Sequence, residues 1–285
     1  YAKQLVVIFN LIFLLLYFYN NNEKKWPDIV LFLLALTLGM FVIINSSNFL
    51  VFYLGLELIS LSLSVIIVKQ SDNNTNLEAA LKYFILSVIS SGIMLFGISL
   101  VYCATGEITF GSLNTFFSIN SDNILASIGI VMFLISIFFK LSFAPFHIWA
   151  PDVYQGSTNS LIVLLATSMK IIFFLVLIKI LPLLTLILKN QIFMIFGFVS
   201  VMSLIIGNVS ALKQMNIKRL IAYSSIGHMG FVLLGLLKYN QDSLHYSIFY
   251  LIIYSILIIC LFTILNIISR NKSFNSDLTS LIGVK

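Results

Sequence analysis

Residues 124–151 read ILASIGIVMFLISIFFKLSFAPFHIWAP, and this stretch decides the fold. An apolar run from Ile128 to Phe139 leads into Lys140, then Pro145, His147 and Pro151. Backbone facing lipid must satisfy its own hydrogen bonds, so an interrupted helix is tolerated only where protein or water covers it. Pro145 has no N–H for the carbonyl of Leu141, four residues back, so a free carbonyl is expected beside a cation at membrane depth. A lysine there costs roughly 2.5–3.5 kcal/mol on insertion scales. Lys140 beside a helix break is therefore a candidate for an ion path. The alternative is a snorkelling lysine, or a structural kink with a buried pair.

Composition supports the same frame. The 285 residues are 60% hydrophobic and 9% charged, with mean hydropathy +1.08. Such a chain is a polytopic membrane protein, and its helix-length runs exclude a transmembrane barrel. The net charge of +6 suits membrane topology and implies no nucleic-acid partner. Cys103 and Cys260 are read as buried small apolar residues with no metal spacing. The chain opens at Tyr1 and not Met, so its true start is expected to be missing or unusual.

Spans of about 20 apolar residues are expected at 4–20, 28–46, 48–68, 78–103, 125–148, 158–181, 191–211, 217–238 and 245–269, an all-α bundle of about nine transmembrane helices. Residues 104–124 and PDVYQGS (151–157) are expected to be loops, and Pro182 a boundary. Alternating the helices places Lys24, Lys25, Lys69, Lys213, Lys218, Arg219, Arg270, Lys272 and Lys285 on one side, which should face inward. Lys3, Lys179, Lys189 and Lys238 fall outside.

Few charges remain within the spans. Glu57 lies about 15 Å into its helix and Lys170 about 18 Å, with His228 at similar depth. Lys82 sits nearer the inner side. One acid and three lysines in lipid are tolerable if they face one another across a wet interior. The simplest pairing is Glu57 with Lys140; Lys140 and Lys170, if close or joined by water, titrate as a unit. Each has a structural alternative: Lys82 snorkels, Glu57 is only an ion-pair partner, His228 is a satisfied core histidine, and His147 caps the piece beyond the break. Tyr223 with Ser224 and Ser225 extends a hydrogen-bonded chain, or is small-residue packing.

The strings GLELISLSL (55–63), EAALKYFILSVISSGIMLFGISLVY (78–102), FKLSFAPFHIWAPDVYQGS (139–157) and NIKRLIAYSSIGHMGFVLLGL (216–236) resemble the subunit-2 family of the proton-pumping NADH:ubiquinone oxidoreductase, respiratory complex I. That family is antiporter-like and is similar to subunits of multi-subunit sodium/proton antiporters. The resemblance implies two inverted five-helix repeats, each with one broken helix. Here it implies residues 1–27 as an N-terminal helix and loop, 28–181 as the first repeat with its break at Lys140–Pro145, and 182–285 as part of the second. It implies a proton path through Glu57, Lys140 and Lys170, with Lys82, His147, Tyr223 and His228 as auxiliary groups and uptake near Lys82. No cofactor is expected on this chain; NAD, FMN, iron–sulfur clusters and ubiquinone belong to partner subunits of the membrane-embedded complex.

The family's second broken helix, with its own lysine, should follow 245–269. The chain ends at Lys285 after SDLTSLIG, so a second polypeptide is expected to supply that helix, with truncation as the alternative. Richness in Phe, Ile, Asn and Tyr leans toward the mitochondrial inner membrane over a bacterial plasma membrane. The rival readings are a sodium/proton antiporter subunit, a scaffold whose charges serve packing, and a related ferredoxin-dependent photosynthetic complex.

Overall fold

A computed structural model describes residues 26–70, 74–119, 123–238, 240–269 and 277–278. The expected span at 4–20 and the loop cations Lys24, Lys25, Arg270 and Lys272 lie outside them. The described residues are nearly all helical, and six helices among them are long and apolar enough to cross a membrane.

Helices α1 (Trp26–Asn45) and α2 (Phe49–Gln70) form the expected tight hairpin. Asn48 opens α2 by accepting from the Val51 N–H at 2.7 Å, the use of a short polar side chain at a helix start. Helix α3 (Asn74–Thr105) has 32 residues. At 1.5 Å per residue it exceeds a bilayer core of about 30 Å. Its first turns, with Glu78 and Lys82, therefore project toward the aqueous side.

The stretch 104–124 is not wholly loop: α4 (Phe110–Ile119) forms within it. Leu113 and Phe117, four residues apart, are its buried face, a spacing that suits a short amphipathic helix. It is tied to the α1–α2 turn by Phe49 N–H to the Ile108 carbonyl and Phe110 N–H to the Ser47 carbonyl. Helix α5 (Ile124–Lys140) stops at Lys140. The expected loop at 151–157 is largely a second short helix, α6 (Trp149–Gly156). Pro151 lies in its first turn, where a missing N–H has no intrahelical partner to lose.

The next span covers Asn159–Leu188, here α7. It passes through Pro182, which is interior and not the boundary that was expected. Neighbouring helices shield such a residue in a membrane bundle. A π-helical turn, Leu165–Met169, interrupts its first half immediately before Lys170. Helices α8 (Gln191–Leu212), α9 (Ile217–Leu234) and α10 (Gln241–Ile268) complete the set.

The bundle closes where small residues let backbones meet. Gly97 on α3 faces Gly129 on α5, and the Ser136 hydroxyl of α5 donates to the Ser90 carbonyl of α3. Lys179 of α7 reaches the end of α1, donating to the carbonyls of Ile44 at 3.3 Å and of Ser46. It thus caps a helix C-terminus, where a cation is favoured. Cys103 and Cys260 are free thiols, exposed and not buried as expected.

Candidate functional site

The break after Lys140 is stitched by three side chains. Trp149 Nε1 donates to the Phe139 carbonyl at 2.8 Å. Ser203 of α8 accepts from the Ala144 N–H at 2.9 Å. The Ser142 hydroxyl donates to the Leu141 carbonyl at 2.7 Å. The free Leu141 carbonyl expected from Pro145 is therefore absent: α5 ends before proline exerts any effect, and a local hydroxyl takes that oxygen. Unpaired backbone groups in a dry interior are costly, which is why side chains take up these backbone groups.

Lys140 is 5% exposed. Its ammonium donates to the Ser60 hydroxyl at 2.6 Å and lies 5.4 Å from the Tyr83 ring and 5.6 Å from the Phe139 ring. Trp149 stacks on both of those rings, with centroids at 5.2 and 5.7 Å. The expected direct Glu57–Lys140 ion pair does not form among the described residues. Ser60 follows Glu57 by three positions on α2, on the same face, and the shorter side chain takes the amine. Glu57 still acts electrostatically on Lys140 and Tyr83 and lies within reach of the Tyr53 hydroxyl. Its Oε1 is buried without a hydrogen-bond partner.

Lys170 forms a separate cluster. It is 3% exposed, donates to the Ser225 carbonyl at 3.4 Å and lies 5.4 Å from the Tyr254 ring. The π turn ahead of it shifts the register of α7, as such turns often do at functional sites. Its charge acts on His228, whose Nδ1 pairs with the Tyr250 hydroxyl at 2.8 Å. Lys140 and Lys170 share no hydrogen-bond partner among the described residues. Ser224 and Ser225 donate back to the Ile221 and Ala222 carbonyls at 2.8 and 2.7 Å. His147 lies against Tyr223, with ring centroids 6.3 Å apart, and its Nδ1 is buried without a partner.

Lys82 departs most from the intramembrane position expected of it. Its side chain is 46% exposed and pairs with Glu78 at 2.7 Å and Asp152 at 2.8 Å. Arg219 pairs with the other oxygen of Asp152 at 2.7 Å. These four residues line a polar cavity of about 120 Å³. Lys82 lies near the N-terminal end of the long helix α3.

Burial pushes the Asp152 carboxyl up, but Lys82 and Arg219 outweigh it and hold the group below its ordinary value of 3.8. With a depressed value, the stabilisation is complete above the ordinary pKa and is lost as pH falls through the folded one. Exposed pairs contribute about 1 kcal/mol or less each. Asp152→Asn should therefore lower the thermal midpoint of the solubilised protein at neutral pH by a few degrees. It should also flatten the loss of stability that the parent suffers as pH falls below about 5. Parallel acid limbs for the two proteins would show that this carboxylate is not the linked group.

Sequence reasoning missed Ser60, Trp149, Ser203 and Asp152. Trp149 and Asp152 stood inside quoted strings but carried no sign of their contacts. Ser60 had only its spacing from Glu57. Among the described residues no group of His, Cys, Asp or Glu could hold a metal ion.

Residues 46–283 match the family model described as NADH:quinone oxidoreductase/Mrp antiporter, TM. NADH-quinone oxidoreductase subunit N of Hydrogenovibrio crunogenus is 42% identical over 241 residues, covering 83% of this chain and 50% of that protein. The subunit of the same name from Pelagibacter ubique is 40% identical over 252 residues, covering 88% and 53%. A chain of respiratory complex I from Thermus thermophilus superposes with TM-score 0.77 at 29% identity, covering 93% of this chain and 56% of that one. The chain spans about half the length of the curated relatives it matches.

Proposed function

The chain belongs to the NADH:quinone oxidoreductase/Mrp antiporter membrane family, and from that premise we propose that it is a proton-translocating element of the membrane arm of a NADH:quinone oxidoreductase. The observation that carries this reading is Lys140: a cation 5% exposed, at the end of an interrupted helix, held by the Ser60 hydroxyl and under the electrostatic influence of Glu57. A buried amine that gains or loses a nearby negative charge changes its proton affinity. Redox chemistry on partner subunits, which hold the NAD, FMN, iron–sulfur and ubiquinone sites, drives that change.

In this mechanism Lys140 and Lys170 hold protons at two stations, and His147, Tyr223 and His228 line the ground between and beyond them. Lys82, with Asp152 and Arg219, gathers charge at the aqueous mouth. Residues 28–181 form the first repeat and 182–285 part of the second. The relatives named above are bacterial, which favours the bacterial plasma membrane over the mitochondrial inner membrane.

The family description also covers Mrp antiporters, which leaves sodium/proton exchange as the rival. Purifying the chain with its native neighbours separates the two. The expected result is co-purification with NADH-oxidising subunits, and NADH-driven proton uptake into vesicles that needs quinone but not sodium. An assembly that exchanges sodium for protons and lacks NADH oxidation would replace the first reading with the second.

A further inference from the structure

Ser60 enters the reading above only as the partner of Lys140, and its hydroxyl already joins two groups. It is 2% exposed. Its hydroxyl accepts from the Lys140 ammonium at 2.6 Å and donates to the Leu56 carbonyl at 2.7 Å. Glu57 stands three residues back on the same face, which brings the Cβ atoms to about 5–6 Å. Its Oε1 is buried without a partner. The Tyr83 ring covers the amine from α3, and Trp149 backs that ring. A hydroxyl has one proton and two acceptor sites and turns freely about its C–O bond.

Building on the proton-translocation reading, we propose that the Ser60 hydroxyl carries the proton between Lys140 and Glu57. It turns its O–H bond from the Leu56 carbonyl toward the open oxygen of Glu57. The Ser60 proton passes to the carboxylate as one N–H proton of Lys140 passes to Ser60 Oγ. Lys140 is left as a neutral amine and Glu57 as a neutral carboxylic acid. Serine regains its hydroxyl, so atoms and charge balance. The transfer abolishes two buried charges at once, which a low-dielectric site favours over separating them. The resting donation to Leu56 keeps the path closed until the hydroxyl turns.

The test uses the whole assembled complex in its membrane, with assembly checked on native gels. Ser60→Ala should slow NADH-driven proton translocation about tenfold or more and raise the solvent deuterium isotope effect on turnover. Ser60→Thr, which keeps the hydroxyl, should run near the parent rate. Parent-like rate and isotope effect in Ser60→Ala overturn the proposal. So does equal slowing of both variants with an unchanged isotope effect, the signature of packing alone. If Ser60→Ala does not assemble, Ser60→Cys replaces it, because a thiol accepts weakly from an ammonium; slowing with a raised isotope effect supports the proposal and a parent-like rate overturns it. Lys140→Ala separates the two levels. If it pumps normally, the translocation reading itself fails; if it is inactive while Ser60→Ala is normal, only the hand-off fails.

Discussion

Lys140→Ala should reduce proton translocation through this chain to background, a loss on the order of a hundredfold or more, as expected when a proton-transfer group is deleted. The amine is almost wholly enclosed, with Ser60, Tyr83 and Phe139 around it. Removing it leaves Ser60 without its donor and Glu57 without the cation that acts on it. Water filling the vacated space cannot substitute for a group whose affinity follows the charge beside it. Lys140→Arg sharpens the expectation. A guanidinium keeps the positive charge but is not deprotonated in proteins. If the role of Lys140 is electrostatic support, Arg should rescue; if it must release a proton, Arg should be as inactive as Ala. Vesicle acidification per NADH oxidised is the measurement, and a parent-like ratio in Lys140→Ala removes this residue from the path.

Gly97→Leu should prevent stable assembly of the chain. A Cβ added at Gly97 meets the Gly129 carbonyl oxygen at 2.5 Å and Met132 Cβ at 3.0 Å. The reciprocal atom at Gly129 meets the Gly97 carbonyl at 2.6 Å. Two backbones are in contact, and neither can turn aside as a flexible side chain would. Even one extra methyl in a packed core costs about 1–3 kcal/mol, and Leu must drive α3 and α5 apart along their length. That separation would pull Ser136 from Ser90 and displace Tyr83 and Trp149, which close over Lys140. Gly97→Ala should assemble in reduced yield with a lowered thermal midpoint. Equal membrane abundance and midpoint for parent, Ala and Leu would refute the close crossing.

The spans were legible because hydrocarbon imposes a simple rule: a segment of about 20 apolar residues becomes a helix whatever surrounds it. Each of the eight expected spans that fall among the described residues holds a helix, but only six of those helices are long and apolar enough to cross a membrane. The span 125–148 is helical only to Lys140 and 217–238 only to Leu234, while α3 and α7 are longer than their apolar runs. Helix length escapes hydropathy because a helix continues past the membrane wherever its neighbours cover it. The break was legible too, since Lys140, Pro145 and His147 cannot sit in one lipid-facing helix at low cost. The amphipathic α4 was weaker in the chain, its face only two buried residues wide.

The sequence alone determined which segments are apolar enough to enter a membrane and which of their residues bear charge. Only the tertiary structure decided their partners. Lys140 meets Ser60 and not Glu57, and Lys82 meets Asp152 at the surface and not the interior axis. Trp149 and Ser203 close the break from opposite sides. The physical reason is one of range. Transfer from water to hydrocarbon is a property of each segment by itself. A hydrogen bond depends on ångström-scale register between helices dozens of residues apart, set here by glycine crossings, a π turn and the overhang of α3.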